Sequence, residues 1–344
     1  MTTRPKRFLL FADILGTRSL YFSQPPRADL IEKKRVSLSH SIRVAFFPLI
    51  AENPDIHISI FSDTVLVACS EIATLLTGAS KLFYLYSSKS LQAQYTDELF
   101  LLRGGIAYGE VLNDQAITPS ACVDVSRIFD TGLALAYHLE GIRKGSRIFL
   151  CRPTFETMPQ ENAPCEEWKA VTGIGEPISP AFEYYWPVSL FDHDNTFCRF
   201  TNDLFTLWRT LFAKSQVWEV KDYDKALYQL DETIKLCVRS AAYSPSDLAV
   251  ATAAALKGML PTFDPQLAKL DIRFTWGTWF QILRTLLQLQ EKHPSLFSAQ
   301  EVERTVAETL TVVSSKGYMD TFLTELENPD YQSFGQKLRL LGLL

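Results

Sequence analysis

Apolar and polar positions in the first half of the chain repeat with two different periods. Short apolar runs of strand length predict β-strands over residues 7–14, 56–61, 64–69, 99–111, 147–151 and 184–191. Apolar residues at helical spacing predict helices over residues 28–50, 71–92 and 130–142. Residues 153–180 are rich in Pro, Gly, Glu and Thr, which predicts a long surface loop. The order of these elements predicts an α+β domain of the ferredoxin-like type, an α/β sandwich with an antiparallel hairpin.

The second half of the chain changes to a purely helical pattern. Helices are predicted over residues 202–214, 221–240, 246–259, 274–292, 299–314 and 318–327. Ser298 and Glu301 have the spacing of a capping box at the start of the fifth helix in this series. A length of 344 residues favours two units. We therefore predict an α+β domain over residues 1–198 and an all-helical C-terminal region over residues 199–344.

Composition and charge argue against several classes of protein. Hydrophobic residues make up 47% of the chain and charged residues 21%, which is typical of a globular protein with a full core. The net charge of −5, without a run of Lys or Arg, argues against a nucleic-acid groove. The six cysteines form no CxxC pair, so neither a zinc site nor a disulfide framework is expected. Asp13 interrupts the first apolar run too early for a signal peptide or a membrane span, and we expect a cytoplasmic protein without membrane contact.

Two aspartates in strand-like segments are candidate metal ligands. Asp13 ends an apolar run and precedes a turn at Gly16, and Asp63 lies between two predicted strands. Hard divalent cations take oxygen ligands on a rigid frame, so the two carboxylates predict a two-metal site for phosphoryl chemistry on a nucleotide. Phe11 would project from the strand to the same side as Asp13. Each aspartate alone also fits a simpler interpretation, Asp13 as a strand-end acid or helix cap and Asp63 as a β-turn residue.

Neighbouring residues add further candidate ligands. The carbonyl oxygen of Ile14 is a usable metal ligand. The turn over Leu15, Gly16 and Thr17 would present backbone N–H groups at a helix start, where phosphate oxygens bind readily. Arg103 lies among strand-forming apolar residues and needs an anion, which is either a phosphate or the acid of a salt bridge at the edge of the core.

Three segments together resemble the catalytic domain of class III nucleotidyl cyclases. They are Phe11-Ala12-Asp13-Ile14-Leu15-Gly16-Thr17, Phe61-Ser62-Asp63-Thr64-Val65 and Arg103-Gly104-Gly105-Ile106-Ala107-Tyr108-Gly109-Glu110-Val111. A fourth segment, residues 132–140, resembles the helix that follows in that family. The order and spacing of the segments agree with the family over residues 7–151.

The resemblance implies a catalytic mechanism. In that family two aspartates, here Asp13 and Asp63 with assistance from the Ile14 carbonyl, bind two Mg²⁺ or Mn²⁺ ions that hold a nucleoside triphosphate. One ion activates the 3′-hydroxyl, which attacks the α-phosphate and expels pyrophosphate. The backbone of residues 15–17 would hold the β- and γ-phosphates. The protein then contributes positioning and charge neutralisation.

The chain departs from the family where the base is read and the transition state is stabilised. Ala134 and His138 stand where the family usually has Asn and Arg, and Ser59 stands where purine-reading cyclases have Lys. Arg103 is the best substitute cation. These departures leave two interpretations open: an active cyclase for another base, or a degenerate cyclase-like module that senses a nucleotide or a partner. A diguanylate-cyclase-like enzyme is a third interpretation, although its GG(D/E)EF loop is absent.

The combination resembles the bacterial pyrimidine cyclases of the Pycsar antiphage systems, which share a shortened FxDIxG motif and a Ser-Asp second site. The resemblance implies conversion of UTP or CTP, with UTP preferred, to cyclic UMP or cyclic CMP with Mn²⁺. It also implies a head-to-tail homodimer with composite sites and a product that activates a separate effector protein. Hydrogen bonds from Ser59 or His57 and stacking on Phe11 or Phe46 are the candidates for reading a small base.

Overall fold

The computed structural model describes residues 6–22, 25, 27–110, 131–158, 164–168, 181–191, 195–215, 223–260, 272–315, 317, 319–327 and 331–344. The chain divides into two compact units. The first comprises Met1–Ser189 and Thr210–Thr233, and the second comprises Leu190–Arg209 and Ile234–Leu344. All candidate site residues belong to the first unit. The domain boundary predicted between residues 198 and 199 stays a prediction.

A seven-stranded mixed sheet organises the first unit. Its strands are β1 (Lys6–Ile14), β2 (His57–Phe61), β3 (Thr64–Cys69), β4 (Leu102–Glu110), β5 (Ile148–Cys151), β6 (Cys165–Trp168) and β7 (Ala181–Tyr184). They lie in the order β2-β3-β1-β4-β5-β7-β6, and the paired strands are antiparallel except β4 with β5. Strands β1 to β4 have the order of a ferredoxin-like sheet, which confirms the predicted α+β fold.

Helices lie on both faces of this sheet. In the first unit they include α1 (Thr17–Tyr21), α2 (Ala28–Glu52), α3 (Ile72–Ser88), α4 (Thr131–Glu140) and α5 (Arg152–Glu156). On one face α3 contacts β1, β3 and β4, and α2 packs on α3. Phe46 of α2 is fully buried there, with its ring 2.2 Å from the position that a Cβ atom on Gly78 would take. On the other face α4 contacts β1, β4 and β5.

A glycine pair in β4 allows α4 to lie directly on the sheet. Side chains alternate along a strand, so Gly104 faces α3 and Gly105 faces α4. A Cβ atom on Gly105 would lie 2.1 Å from the carbonyl oxygen of Ala136, a backbone atom of α4. Any other residue at this position would therefore displace the helix. On the same face, Phe11 of β1 packs into the apolar clusters that α4 covers.

The described chain beyond residue 195 is dominated by helices. They are α6 (Thr196–Ser215), α7 (Tyr223–Ser240), α8 (Ser246–Met259), α9 (Ile272–Lys292), α10 (Ala299–Ser315), α11 (Met319–Leu326) and α12 (Gln332–Leu340). The helical C-terminal region is thus as predicted. Within the described residues, no helix combines the length and the apolar character that a membrane span requires.

A buried ion-pair cluster connects three segments of the first unit. Arg147, which immediately precedes β5, donates to Glu183 Oε1 of β7 at 2.6 Å and to Glu232 Oε2 of α7 at 2.5 Å. The N–H of Ser146 donates to Thr233 Oγ1 at 2.9 Å. Residues 210–233 are therefore tied to the sheet by polar contacts as well as by packing.

Two predicted elements need correction, and one helix was not predicted. The strand expected over residues 184–191 is β7, which ends at Tyr184, followed by a 3₁₀ turn over Trp186–Leu190, because Pro187 cannot donate to a sheet ladder. The loop expected over residues 153–180 contains α5, which has Pro in its first turn, and the strand β6. Helix α12 was not predicted, because Gly335 interrupts its pattern and Tyr331 supplies no side-chain cap.

Candidate functional site

The register of the sheet brings the candidate residues of β1 and β4 into one row. Asp13 pairs with Thr64 of β3 on one side and with Arg103 of β4 on the other. Phe61 of β2 pairs with Thr64 and extends the same row. Residues that pair directly project to the same face of a sheet, which here is the face that α4 covers in part. The row ends near the carboxyl end of β1, where α4 leaves Asp13 partly accessible.

Asp63 reaches Asp13 through the turn that joins β2 and β3. Because Phe61 pairs with Thr64, Ser62 and Asp63 form a two-residue turn beside the end of β1. The N–H of Ile14 donates to the backbone carbonyl of Asp63 at 3.0 Å, which fixes the turn against β1.

Two threonine hydroxyls orient the two carboxylates. Thr64 Oγ1 donates to Asp13 Oδ1 at 3.1 Å, and Thr17 Oγ1 donates to Asp63 Oδ2 at 2.5 Å. Both bonds leave the second oxygen of each carboxylate available for another ligand. The sequence singled out Thr17 only for its backbone N–H and did not single out Thr64, although both occur in the segments that resemble the cyclase family. Their role depends on cross-strand register, which the local pattern does not show.

The electrostatics of this site favour a bound cation. Burial, and next the nearby charge of Asp63, raise the pKa of Asp13 from 3.8 to about 6, although the Thr64 hydrogen bond and Arg103 act in the opposite direction. Two carboxylates that face each other in a partly buried site repel, and a divalent cation removes that repulsion. The donor oxygens at Asp13 and Asp63, with the Ile14 carbonyl, are the hard ligands that Mg²⁺ and Mn²⁺ prefer. In the part of the chain that the structure describes, no group of three or more His, Cys, Asp or Glu forms a larger metal centre.

Arg103 is engaged by protein carboxylates on both sides. Its Nε contacts Glu140 Oε1 of α4, and its Nη2 lies 3.8 Å from Asp13 Oδ2. Glu140 is buried, so the contact anchors the end of α4 to β4. The sequence prediction of Arg103 as a substitute cation left a salt bridge as the equal alternative, and the structure shows such a bridge.

The turn predicted to hold phosphates has one of its donors already in use. The N–H of Leu15 donates to the carbonyl of Leu101 at 2.9 Å, and Leu15 itself is buried. Gly16 adopts a left-handed conformation with φ of 83°, which glycine accepts without strain, and α1 begins after it. The Thr17 hydroxyl also lies 3.3 Å from the Ile14 carbonyl oxygen. Gly16 and Thr17 remain the candidates for backbone contact with a phosphate.

The residues proposed to read a base lie on different faces. Ser59 pairs with Leu66, which pairs with Phe11, so these three occupy the row next to that of Asp13 on the α4 face. The Phe11 ring makes an edge contact at 5.2 Å with Tyr137 of α4, whose side chain is 62% exposed. The prediction that Phe46 stacks on a base is wrong. That ring is enclosed between α2 and α3 on the opposite face.

The positions of α4 that differ from the cyclase family are exposed. Ala134 and His138 are one turn apart on the outer side of the helix, and His57 is exposed on the edge strand β2. The structure therefore does not bring Ala134 or His138 into the row that contains Asp13.

Comparisons with known proteins gave one kind of similarity. No family model matches the chain, and no curated protein matches it. Among solved structures, it is similar to the guanylyl cyclase Cya2, with 16% identity and a TM-score of 0.38 over 53% of this chain and 91% of that one. It is also similar to an adenylate/guanylate cyclase/hydrolase from Silicibacter pomeroyi, with 18% identity and a TM-score of 0.39 over 53% of this chain and 98% of that one. A third is the catalytic core of a rhodopsin-guanylyl cyclase with converted specificity in complex with ATPαS, with 12% identity and a TM-score of 0.39 over 53% and 96% of the two chains. Nothing about activity follows for this chain at such identities.

Proposed function

We propose that the chain is a nucleotide cyclase that converts a nucleoside triphosphate to a 3′,5′-cyclic nucleotide and pyrophosphate. The observation that carries this proposal is the arrangement of Asp13 and Asp63, which lie on adjacent elements; burial, and next the charge of Asp63, raise the pKa of Asp13 to about 6. Such a pair at the carboxyl end of an interior strand fits a site that binds cations and a polyphosphate together.

Asp13, Asp63 and the carbonyl of Ile14 would hold two Mn²⁺ or Mg²⁺ ions. When bound, these ions neutralise phosphate charge and activate the attacking hydroxyl. The protein supplies the orientation: Thr64 and Thr17 fix the two carboxylates, and the sheet fixes their separation. Arg103 adds positive charge beside Asp13, and its contact with Glu140 holds that charge in place.

For the substrate, we propose a pyrimidine triphosphate, UTP in preference to CTP. Ser59 replaces the lysine of purine-reading cyclases, and its row includes Phe11, which offers a ring edge for a small base. By the same resemblance, the protein acts as a cytoplasmic homodimer in antiphage defence, and its cyclic product activates a separate effector protein. Mn²⁺ is the proposed preferred ion.

Incubation of purified protein with each of the four ribonucleoside triphosphates and Mn²⁺ or Mg²⁺ tests this function. Mass-resolved chromatography separates the products. Cyclic UMP or cyclic CMP alone is the expected result. A purine cyclic nucleotide would refute the pyrimidine assignment but keep the cyclase, and absence of any cyclic product from folded protein would refute the cyclase itself.

The aspartates give the first mutational prediction. Asp13→Asn and Asp63→Asn should each lower turnover by at least about a hundredfold, because each removes a metal-binding charge. In the absence of divalent cations, Asp13→Asn should unfold at no lower denaturant concentration than the wild type, since it removes the like charge facing Asp63. Activity assays and urea unfolding measure the two effects. Turnover retained in either variant would contradict the two-metal site.

A second candidate function is a nucleotide-sensing module without turnover. Ala134 and His138 supply neither of the polar groups found there in the cyclase family, and Arg103 is held by Glu140. Calorimetry measures whether a triphosphate binds, and an assay for pyrophosphate shows whether it is converted. A module that only senses would bind a triphosphate with divalent cations and release it unchanged, whereas an enzyme would return pyrophosphate.

A further inference from the structure

Three residues meet beside the turn that carries Asp63, and we call them the Tyr21–Arg35–Ser62 cluster. Arg35 of α2 donates through Nη2 to the Tyr21 hydroxyl at 2.5 Å and to Ser62 Oγ at 2.8 Å. Tyr21 is the last residue of α1, whose first residue, Thr17, donates to Asp63. The cluster therefore adjoins the candidate site through α1 and through the turn.

Ser62 holds a backbone conformation that side chains disfavour. Its φ is 54°, in the left-handed region where glycine is the usual residue of a two-residue turn. A non-glycine residue in a sparsely populated region costs on the order of 1 kcal/mol or more and persists where its surroundings require it. Here the hydroxyl that glycine would lack accepts the Arg35 hydrogen bond. The strain thus coincides with a specific contact next to Asp63.

Among the described residues, no carboxylate forms an ion pair with Arg35. Its acceptors are two uncharged hydroxyls, and the buried Nε has no hydrogen-bond partner among the described residues. Arg103, by contrast, contacts Glu140 and lies beside Asp13. Of these two arginines, Arg35 has the positive charge and the unused donors that an incoming anion requires. A guanidinium group matches phosphate oxygens well because its donors form a planar fork.

We infer that Arg35 binds the terminal phosphates of the nucleoside triphosphate, and that Ser62 and Tyr21 hold its guanidinium in position. The inference rests on the proposed function for its ligand. Nη2 is committed to the two hydroxyls, and the two N–H groups of Nη1 supply the hydrogen bonds to phosphate oxygens. The negative charge of the polyphosphate then serves as the counter-charge that Arg35 does not find in the described part of the chain.

Binding of inorganic tripolyphosphate, in the presence of Mg²⁺, tests this inference by calorimetry. Arg35→Gln should weaken binding roughly 10- to 100-fold, the range expected for hydrogen bonds to a charged group. Arg35→Lys should lose less, because it retains the charge. Binding of a nucleoside 5′-monophosphate should not change in either variant. Tripolyphosphate affinity in Arg35→Gln equal to that of the wild type would overturn the inference.

Arg43→Gln is the matched control. Arg43 lies on the exposed side of the same helix, about two turns farther along, and the substitution changes the net charge by the same amount. Its tripolyphosphate affinity should stay near that of the wild type. An equal loss in Arg43→Gln would assign the effect to the general charge of the protein and overturn a specific role for Arg35.

A double variant separates phosphate binding from support of the turn. Ser62→Gly removes the strain of the left-handed conformation. If Arg35 only supported the turn, Arg35→Gln would cost no tripolyphosphate affinity in the Ser62→Gly background, and that result would overturn the inference. We expect the loss to persist in that background.

Turnover assays keep this inference apart from the proposed function. Cyclic product formed with the same KM in wild type and Arg35→Gln would overturn the role of Arg35 and leave the cyclase intact. Conversely, Arg35-dependent tripolyphosphate binding without a cyclic product from any triphosphate would support Arg35 as a phosphate ligand and remove the cyclase activity.

Discussion

Lys34 of α2 carries an ammonium group into the interior of the first unit. The residue is 2% exposed, and Nζ donates to the Leu99 carbonyl at 2.5 Å while lying 5.6 Å from the centre of the Phe100 ring. Burial lowers the pKa of Lys34 from 10.5 to about 8, and the charge of Asp97 counters part of that effect. The folded chain therefore releases this proton at a lower pH than the unfolded chain does.

Stability should consequently rise with pH in a defined window. Between pH 8 and 10.5 the unfolded chain holds the Lys34 proton and the folded chain does not, so the free energy of unfolding increases with pH through that range. Relative to Lys34→Met, the wild type should gain up to about 3 kcal/mol across the window. Urea unfolding at several pH values measures the difference between the two proteins.

The neighbouring Lys33 provides the control for this prediction. Lys33 is exposed on the same helix, so Lys33→Met should follow the wild-type pH dependence closely. A Lys34→Met variant whose stability runs parallel to that of the wild type from pH 8 to 10.5 would contradict the lowered pKa.

The sequence identified the two aspartates as a pair but not the groups that hold them. A carboxylate within an apolar run is easily recognised in the sequence. The structure brings Asp13 and Asp63 together. Their catalytic role stays a prediction. Thr17, Thr64 and Glu140 act across strands or between a helix and the sheet, which depends on register and packing. The prediction that Phe46 stacks on a base failed for a related reason. Helical spacing shows that a residue lies on an apolar face, but not which element that face packs against.

At the scale of elements, the order of strands and helices was predictable and their ends were not. Alternation between strand-length and helix-length apolar patterns predicted the ferredoxin-like core, since few topologies satisfy that order. Two of the differences from expectation lie at Pro153 and Pro187, where proline chemistry permits either a turn or a short helix. The position of Arg147 between two glutamates could not be predicted, because its partners are far apart in the chain.

The buried ion pairs of Arg147 with Glu183 and Glu232 should contribute to the stability of the contacts among β5, β7 and α7. Arg147→Leu should lower the free energy of unfolding by about 3–5 kcal/mol, because it leaves Glu183 and Glu232 buried without the arginine. Replacing both glutamates by glutamine in the same chain should recover part of the loss. Chemical denaturation monitored by circular dichroism measures these differences.

An exposed arginine in the next element gives the comparison. Arg152 of α5 lies 3.9 Å from Glu156, and its side chain is 56% exposed. Arg152→Leu should change stability by less than about 1 kcal/mol, as exposed pairs do. Equal losses of unfolding free energy in Arg147→Leu and Arg152→Leu would contradict the prediction that burial makes the Arg147 ion pairs more important for stability.

At the scale of the whole molecule, the proposed function implies a second copy of the chain. Neither Ala134 nor His138 of α4 lies in the row of Asp13, and Tyr137 exposes an aromatic surface beside Phe11. Active protein should therefore have twice the 39.0 kDa mass of the chain in light scattering. Activity per chain should fall on dilution as the dimer separates. Full activity from a species of 39.0 kDa would rule out a composite site.

The contact between Gly105 and the Ala136 carbonyl also limits how this protein can evolve. Every change at the Gly105 codon that alters the amino acid adds a carbon where the backbone of α4 already lies. A single substitution of Gly105 should not be tolerated, because α4 must move before any larger residue fits at that position. Glu140, which contacts Arg103, also belongs to α4, so a shift of the helix would move Arg103 relative to Asp13. New specificities should therefore arise from changes on the open side of the row, near Ser59 and Phe61, rather than beneath the helix.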